Sequence, residues 1–294
     1  MRHLAAAAAL AVAAWPSCLA HASGPPFARN LTHVLCDVKT ALNTSAVNAS
    51  WAAPIVSALA SKVGCNGLRV PLMPSLAGPS EYSAGYNATL AAAAARSMAL
   101  YASPMERAWD IVAAGDTDTG AEAAYTAWLL RYAAGFGRAL TFISPFNEVG
   151  SACDVPCMRR VATALRDALP ASVALVGPDD EHVAKTLASA GSCHGFRGVF
   201  DVLSSHNAGA DGGNTHANWA ALVGMGAGRP VWSSENPTCF ELAPCASSYG
   251  SMHAAVNAGV AGLVPWLTLG ADVTLEGDVT AKGSDIAAGI AAGA

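Results

Sequence analysis

The sequence is poor in charged and in aromatic side chains. Charged residues account for 13% of its 294 positions and aromatic residues for 7%. The formal net charge is −5, and lysine and arginine form no cluster, so we expect no nucleic-acid partner. Because charges are scarce and costly to bury, a carboxylate that directly follows an apolar strand requires an explanation.

Long apolar runs and metal-binding patterns are also missing from most of the chain. Beyond the N-terminus, no run is long enough to span a bilayer. The histidines are scattered without the spacing of a metal site, and we expect neither a metal nor a cofactor. Any chemistry must therefore come from the side chains themselves.

The N-terminus has the pattern of a secretory signal peptide. A basic start precedes an apolar run over residues 4–15, which is too short for a transmembrane span. Ala20-His21-Ala22 then provides the small residues of a cleavage site. We expect residues 1–22 to be removed and residues 23–294 to form one secreted domain that is not membrane-bound. An N-terminal core helix is the alternative interpretation of the same run.

Cysteines and glycosylation motifs favour the same oxidising, secretory compartment. Eight cysteines occur, and removal of Cys18 with the signal peptide leaves seven. Their connectivity is open at this stage. The predicted arrangement pairs Cys36 with Cys65, Cys153 with Cys157 and Cys239 with Cys245, and leaves Cys193 free. Asn-x-Ser/Thr motifs that can accept a glycan begin at Asn30, Asn43, Asn48 and Asn87.

Short apolar runs alternate with alanine-rich helical stretches along the mature chain, a rhythm typical of βα units around a parallel sheet. The predicted strands are residues 32–38, 67–72, 97–103, 139–144, 173–177, 199–204, 230–233 and 262–267. The predicted helices are residues 52–63, an alanine-rich stretch before the third strand, and residues 121–135, 157–169, 181–190, 215–225, 248–258 and 284–292. Eight units favour a closed barrel over an open sheet. We predict the α/β class and a single (β/α)8 TIM barrel with little or no side domain.

Enzymes with this fold carry their chemistry at the C-terminal ends of the barrel strands. The residues that stand out at those predicted ends are Arg69, Asn147, Glu148, Asp179, Asp180, His206, Asn207, Glu235 and Trp266. If the barrel closes, these ends converge on one pocket. Asp179 and Asp180 are set apart from the others, because we expect them to cap the helix that follows.

Glu148 and Glu235 follow the fourth and the seventh predicted strands, so they can face each other across that pocket. Cleavage of a glycosidic bond needs two carboxyl groups, one that protonates the leaving oxygen and one that attacks the anomeric carbon or activates water. A gap of about 5 Å between the two groups gives retention, and a wider gap gives inversion. We assign Glu148 as acid/base and Glu235 as nucleophile.

Five further residues are predicted to support the reaction or bind the sugar. Arg69 would keep Glu235 ionised, and Asn147 could donate to a sugar hydroxyl. Trp266 and Trp109 offer apolar faces to a sugar ring, and His206 completes the substrate site. Taken singly, each residue also has a structural interpretation as a helix cap, an ion pair, a core histidine or barrel packing.

Three stretches carry a resemblance to a known group of enzymes. They are Leu68-Arg-Val-Pro71, Ala102-Ser-Pro104 followed by Ala108-Trp109, and Ile143-Ser-Pro145-x-Asn147-Glu148. Together with the histidine, glutamate and tryptophan at the later strand ends, they resemble clan A glycoside hydrolases, and within that clan the glucosylceramidase and endo-xylanase group. The resemblance implies a retaining mechanism on a β-linked oligo- or polysaccharide, and we expect a monomer.

The sequence departs from that group in places. Val149 stands where the group has proline after the Asn-Glu pair, and Asn207 follows the sixth-strand histidine without the usual aromatic residue nearby. The group also carries a β-rich side domain, for which we expect no counterpart. Cellulase-like barrels and short β-1,3-glucanase barrels therefore stay open as alternatives.

Three other functions compete with a glycosidase. An inactive glycan-binding barrel, lectin-like or structural in a cell wall, would keep the aromatic residues but would not need paired glutamates. A cysteine hydrolase is suggested by Gly191-Ser-Cys193-His-Gly195, although this stretch follows a helix and precedes a strand, the reverse of a nucleophile elbow. A phosphate-binding barrel has only Leu269-Gly-Ala-Asp272 in its favour.

Overall fold

The computed structural model describes residues 31–39, 48–105, 108–113, 118–149, 152–190, 196, 198–208, 213–236, 252–266, 268–269, 273–274 and 277–293. Eight parallel strands form a closed barrel in which each strand pairs with the next along the chain and the last pairs with the first. The predicted (β/α)8 barrel is therefore confirmed. The predicted signal peptide, residues 1–22, lies outside the described residues.

The strands alternate with helices around the barrel. The strands are β1 His33–Asp37, β2 Gly67–Leu72, β3 Ala99–Pro104, β4 Phe142–Ile143, β5 Ala174–Asp180, β6 Val202–His206, β7 Val231–Asn236 and β8 Gly262–Pro265. The helices are α1 Ala52–Ala58, α2 Ala84–Ala95, α3 Ala108–Val112, α4 Asp118–Phe136, α5 Val155–Ala168, α6 Val183–Ala190, α7 His216–Gly226, α8 Met252–Asn257 and α9 Ala281–Gly293. Helix α1 continues into a π-helical turn, Leu59–Val63.

Strands β5, β6 and β7 run further at their C-terminal ends than their apolar runs predict. The predicted ends are residues 177, 204 and 233, whereas the observed ends are Asp180, His206 and Asn236. Apart from Pro178, the added residues are polar, which is why their sequence resembles a loop. Except for the partly buried Glu235 they are buried, and a polar side chain is stable there only because it finds hydrogen-bonding partners.

The core has two layers. Apolar faces of the helices pack on the outside of the sheet, and a smaller cluster fills the inside of the barrel with Leu35, Tyr101, Phe142, Val176, Val202, Trp232 and Val264. Trp232 is fully buried, and its ring centroid lies 4.7 Å from that of Phe142. Gly262 of β8 gives this indole its space, since a Cβ there would lie 2.3 Å from Cδ1 of Trp232.

Two of the predicted disulfides are present. Cys36 of β1 bonds Cys65, which precedes β2, and Cys153 bonds Cys157 in the first turn of α5. The predicted Cys239–Cys245 pair and the predicted free Cys193 lie outside the described residues. Within the described part of the chain, the helices lack the combination of length and apolar character needed to cross a bilayer.

A methyl group at position 262 tests the packing of the barrel interior. Gly262→Ala should lower the free energy of unfolding by about 1–3 kcal/mol, because Trp232 must move within a close-packed core. Urea denaturation measures this loss. Gly78→Ala is the control, since Gly78 has extended backbone and open space where a Cβ would lie, and it should change stability by less than about 0.5 kcal/mol. Equal effects at both positions would contradict the packing argument.

Candidate active site

Side chains of β1, β2 and β7 meet in a buried ion-pair cluster. Arg69 of β2 is fully buried, and its Nη1 donates a hydrogen bond to Oε2 of Glu235 near the end of β7. The same nitrogen lies 3.3 Å from Oδ2 of Asp37, the last residue of β1. Arg69 thus connects the carboxylate of the neighbouring strand β1 with that of β7, which β1 and β8 separate from β2 in the barrel. The sequence predicted the Arg69–Glu235 pair but not the part that Asp37 plays.

The second terminal nitrogen of Arg69 orients Asn147. Nη2 donates to Oδ1 of Asn147 and to Oγ of Ser103, each at 3.0 Å. Because a guanidinium can only donate, the oxygen of the Asn147 amide must face Arg69. The NH2 group of Asn147 is then the part of the side chain that can donate to another molecule.

Lys39 is a site residue that the sequence analysis missed. It follows β1, is 4% exposed, and its Nζ donates to Oε2 of Glu235 at 3.4 Å. Its backbone N–H donates to Oδ1 of Asp37 at 2.8 Å. The signal was available, since Asp37 and Lys39 are the polar residues at the end of the first predicted strand. Applied to that strand, the rule used for the others would have identified both.

The electrostatic surroundings of Glu235 favour its ionised form. Burial by itself raises the pKa of Glu235, but Lys39, Arg69 and His206 together outweigh burial and hold that pKa well below its usual range. The side chain of Glu235 is only 13% exposed, so Lys39, Arg69 and His206 act on its carboxylate with little screening by water. The ionised carboxylate is therefore the favoured form of Glu235.

Glu148 lies opposite Glu235, with His206 between them. Nδ1 of His206 is 2.7 Å from Oε1 of Glu148 and 3.9 Å from Oε2 of Glu235. One oxygen of each glutamate and a nitrogen of His206 all lie within 4.8 Å of one another. His206 is fully buried, whereas the side chain of Glu148 is 35% exposed. The two glutamates thus differ in their access to solvent.

The backbone of Glu148 is in an unusual conformation. Its φ is +55°, in the left-handed region that costs a residue with a side chain about 1–2 kcal/mol. Its N–H donates to the carbonyl oxygen of Asp179 at 3.0 Å, and Asp179 itself has φ +58°. Two neighbouring strand ends therefore hold each other in strained geometry, which is common where a side chain must be aimed at a site.

Asp179 is not a helix cap, and that prediction is wrong. Its carboxylate lies inside the barrel and accepts hydrogen bonds from the hydroxyl groups of Tyr101, Ser204 and Ser234, with Tyr101 at 2.6 Å. Burial raises the pKa of Asp179, but His206, Arg69 and serine hydroxyl groups together lower it by more than burial raises it. The net shift is therefore downward.

Asp180 does not cap the helix either. It is the last residue of β5 and is 5% exposed, and α6 begins only at Val183. The physical reason is the length of β5, which keeps both aspartates in the strand: Asp179 lies inside the barrel, and Asp180 interacts with Ser189 and Lys185 of α6. Burial raises the pKa of Asp180, with the opposing effect of Ser189 and Lys185 too small to reverse it.

His206 is surrounded by carboxylates, and this shifts its pKa. Burial lowers the pKa of His206, but Glu235, Glu148 and Asp179 raise it by more, against a smaller opposing effect of Arg69. The net shift in the pKa of His206 is upward. The predicted placement of His206 in the site agrees with this position, and its interaction with Glu148 goes beyond the prediction.

The two tryptophans proposed as sugar platforms have different positions. Trp109 of α3 is 9% exposed, and its ring packs against Tyr125 of α4 at a centroid distance of 4.8 Å. This position is typical of core packing. Trp266 directly follows β8 and is half-buried, and its backbone N–H donates to Asn236 at 2.9 Å. The structure therefore brings Arg69, Asn147, His206 and the two glutamates together, and places Trp109 in the core.

Glu148, His206 and Glu235 are also a set of residue types that can hold a metal ion. Their charge environment does not fit that role well. Arg69 and Lys39 already donate to Oε2 of Glu235, and both would repel a divalent cation. Nδ1 of His206 faces Glu148 at hydrogen-bonding distance, so it would have to lose that contact to bind a metal.

Comparison with known proteins identifies the fold. No protein-family model matches the sequence, and no curated protein matches it. Among solved structures, a glycoside hydrolase family 30 subfamily 8 xylanase from Clostridium acetobutylicum is 15% identical, with 87% of this chain and 70% of that chain covered at a TM-score of 0.59. The catalytic domain of a mannanase from Streptomyces sp. SirexAA-E is 15% identical, with coverages of 90% and 85% and a TM-score of 0.54.

A fungal β-1,4-galactanase gives a similar result, with 13% identity, coverage of 79% of this chain and 90% of that chain, and a TM-score of 0.55. These similarities confirm the structural resemblance to the barrels of clan A glycoside hydrolases. At such low identity they concern the fold, and the chemistry has to be argued from the side chains.

Removal of the central cation tests the ion-pair cluster. Arg69→Met should lower the free energy of unfolding by about 3–5 kcal/mol, because Asp37 and Glu235 would be left as buried charges without their shared partner. Arg160→Met is the matched control: Arg160 also pairs with a glutamate, Glu122, but its side chain is 57% exposed, so the loss should be about 1 kcal/mol or less. Urea titration compares the two variants. Similar losses would refute the central role of Arg69.

Proposed function

We propose that this protein hydrolyses a β-linked oligo- or polysaccharide with retention of configuration, with Glu148 as acid/base and Glu235 as nucleophile. The observation that carries the proposal is the spacing of the two carboxyl groups, whose oxygens approach within 4.8 Å. Retaining glycosidases have a separation of about 5–5.5 Å, whereas inverting enzymes need about 6.5–9.5 Å to admit a water molecule. The measured spacing supports double displacement.

The environments of the two glutamates support this assignment of roles. Glu235 is held as a carboxylate by two cations, which suits a nucleophile. Glu148 touches no lysine or arginine in the described part of the chain; its side-chain partner there is His206, and its partial exposure gives it access to water. An acid/base must exchange its proton with solvent between the two steps, so the more exposed glutamate is the suitable one.

The proposed reaction has two balanced steps. In the first, Glu235 attacks the anomeric carbon, the glycosidic C–O bond breaks, and the proton of Glu148 moves to the leaving oxygen. In the second, water attacks the same carbon, Glu148 takes a proton from that water, and the bond to Glu235 breaks with its electrons returning to the carboxylate. The sugar leaves with its original configuration, and both glutamates return to their starting states.

Supporting roles can be assigned to three further residues. The amide NH2 of Asn147, aimed by Arg69, would donate to a sugar hydroxyl, a contact that strengthens in the transition state. His206 would hold Glu148 in position, and Trp266 would offer an apolar face at the edge of the site. We leave Trp109 out of the proposed site because its ring is packed against Tyr125.

The substrate class and the location of action are part of the same proposal. Structures of similar fold include proteins named as a xylanase, a mannanase and a β-1,4-galactanase, which supports a polysaccharide substrate. Two disulfides favour an oxidising compartment, so we propose that the protein acts after secretion. An inactive glycan-binding barrel is the alternative that the following experiments can distinguish.

Covalent labelling tests the nucleophile. A panel of activated 2-deoxy-2-fluoro β-glycosides should trap a glycosyl-enzyme, because the fluorine slows its breakdown, and peptide mapping by mass spectrometry should place the sugar on Glu235. Glu235→Gln should take no label and lose aryl β-glycoside turnover by at least about 10⁴-fold. The sugar that labels best identifies the glycone. Label on another residue of an active enzyme would refute the assignment, and binding of glycans without any label or turnover would favour the inactive barrel.

Leaving-group dependence tests Glu148. Glu148→Ala should reduce kcat/KM on a polysaccharide by about 10²–10⁴-fold, because the leaving sugar hydroxyl needs a proton. On a dinitrophenyl β-glycoside the loss of kcat/KM should be less than about tenfold, since that leaving group departs as a stable anion. Asp110→Ala, a carboxylate on α3, is the comparison variant and should affect both substrates alike. Equal losses on the two substrates in Glu148→Ala would contradict the acid/base role.

A further inference from the structure

The two carboxylate oxygens of Glu235 differ in their contacts. Arg69 and Lys39 both donate hydrogen bonds to Oε2. Nδ1 of His206 also lies on the Oε2 side of the carboxylate, 3.9 Å from that oxygen. The polar contacts that the described residues make to this carboxylate therefore converge on one oxygen. Oε1 is the oxygen left to form a bond to carbon, because its lone pairs are not directed at these donors.

Lys39 is a second buried cation beside Glu235. Arg69 already supplies a cation between Asp37 and Glu235, and Lys39 adds a second one that is 4% exposed. Two cations and two carboxylates balance only while Glu235 carries its negative charge. When Glu235 becomes an ester, Arg69 and Lys39 face Asp37 alone, and one buried positive charge is uncompensated. Such a charge is costly in a poorly solvated site, and the cost is removed when the carboxylate forms again.

We propose that Lys39 is a positioning residue that makes Glu235 a good leaving group in the second step and leaves Oε1 as its attacking oxygen. The inference rests on the proposed function and goes beyond it, because it assigns a role to a residue outside the acid/base and nucleophile pair. During the second step the C–Oε1 bond breaks and its electrons return to Glu235. Negative charge then develops on the Glu235 carboxylate. The Lys39 ammonium stabilises this charge, because its Nζ lies 3.4 Å from Oε2.

This role predicts a kinetic signature that a structural role does not. Without the cation, the Glu235 carboxylate is more basic, so it attacks as well as before but leaves more slowly. The glycosyl-enzyme then accumulates. On a dinitrophenyl β-glycoside, kcat should fall by about 10–100-fold, KM should fall in parallel, and kcat/KM should stay within about threefold of the wild-type value. A burst of dinitrophenol equal to the enzyme concentration should precede the slow steady state.

The experiment uses the full-length protein and the glycone that labels Glu235. Lys39→Gln removes the charge and keeps a donor, and Lys39→Arg keeps the charge and should show no burst beyond that of the wild type. Lys62→Met is the matched control, because Lys62 is an exposed lysine in the turn after α1 and should be kinetically silent. Thermal melting checks folding first. If the glutamine variant melts early, Lys39→Met replaces it, since its straight side chain fills a similar volume.

The possible outcomes separate this inference from the proposed function. A burst with parallel losses in kcat and KM in Lys39→Gln, absent from Lys39→Arg, supports the role of Lys39. If wild-type enzyme labels on Glu235 but Lys39→Gln shows no burst, or loses kcat and kcat/KM equally, the inference is refuted and the proposed function stands. If wild-type enzyme neither turns over nor labels, the proposed function fails before Lys39 is considered.

Discussion

Pairing between β1 and β8 closes the sheet, and the site depends on this closure. His33 and Val34 of β1 lie opposite Gly262 and Leu263 of β8, so the first and last strands become neighbours. The donors of the Glu235 carboxylate come from positions 196 and 166 residues away along the chain. In an open sheet these groups would lie at separate places. The small residue Gly262 permits closure because Trp232 fills the barrel interior directly against it.

Closure also makes the charge arrangement possible. Arg69 is completely buried, and a guanidinium there is stable only because Asp37, Glu235, Ser103 and Asn147 accept its hydrogen bonds. The same contacts that compensate its burial orient Asn147 and hold one oxygen of Glu235. Stability and the proposed chemistry therefore use one network. Asp179, whose carboxylate accepts hydrogen bonds from Tyr101 and Ser204, also holds the backbone of Glu148 through its carbonyl oxygen.

Several site residues could be predicted because strand ends are visible in sequence. Apolar runs of strand length separated by alanine-rich stretches indicate the eight units, and the residue after each run indicates the mouth of the barrel. Glu148 and Glu235 were found in this way, and Arg69 was found as the polar residue within the second run. Asp37 and Lys39 obey the same rule and were overlooked. Asp179 was misassigned because a polar residue after an apolar run looks the same whether it caps a helix or continues a buried strand. Trp109 was misassigned because an aromatic residue near a strand end looks the same in a core as in a cleft.

The sequence by itself determined the fold class and the strand order, because these follow from local hydrophobic period and from the adjacency of consecutive βα units. Only the tertiary structure decided which polar side chains are buried together. The distance between the two glutamates, the position of the two cations at Oε2 and the net charge of the cluster each depend on residues that are remote in sequence. No local pattern encodes these quantities, because they depend on how the closed barrel excludes water from all of these groups at once.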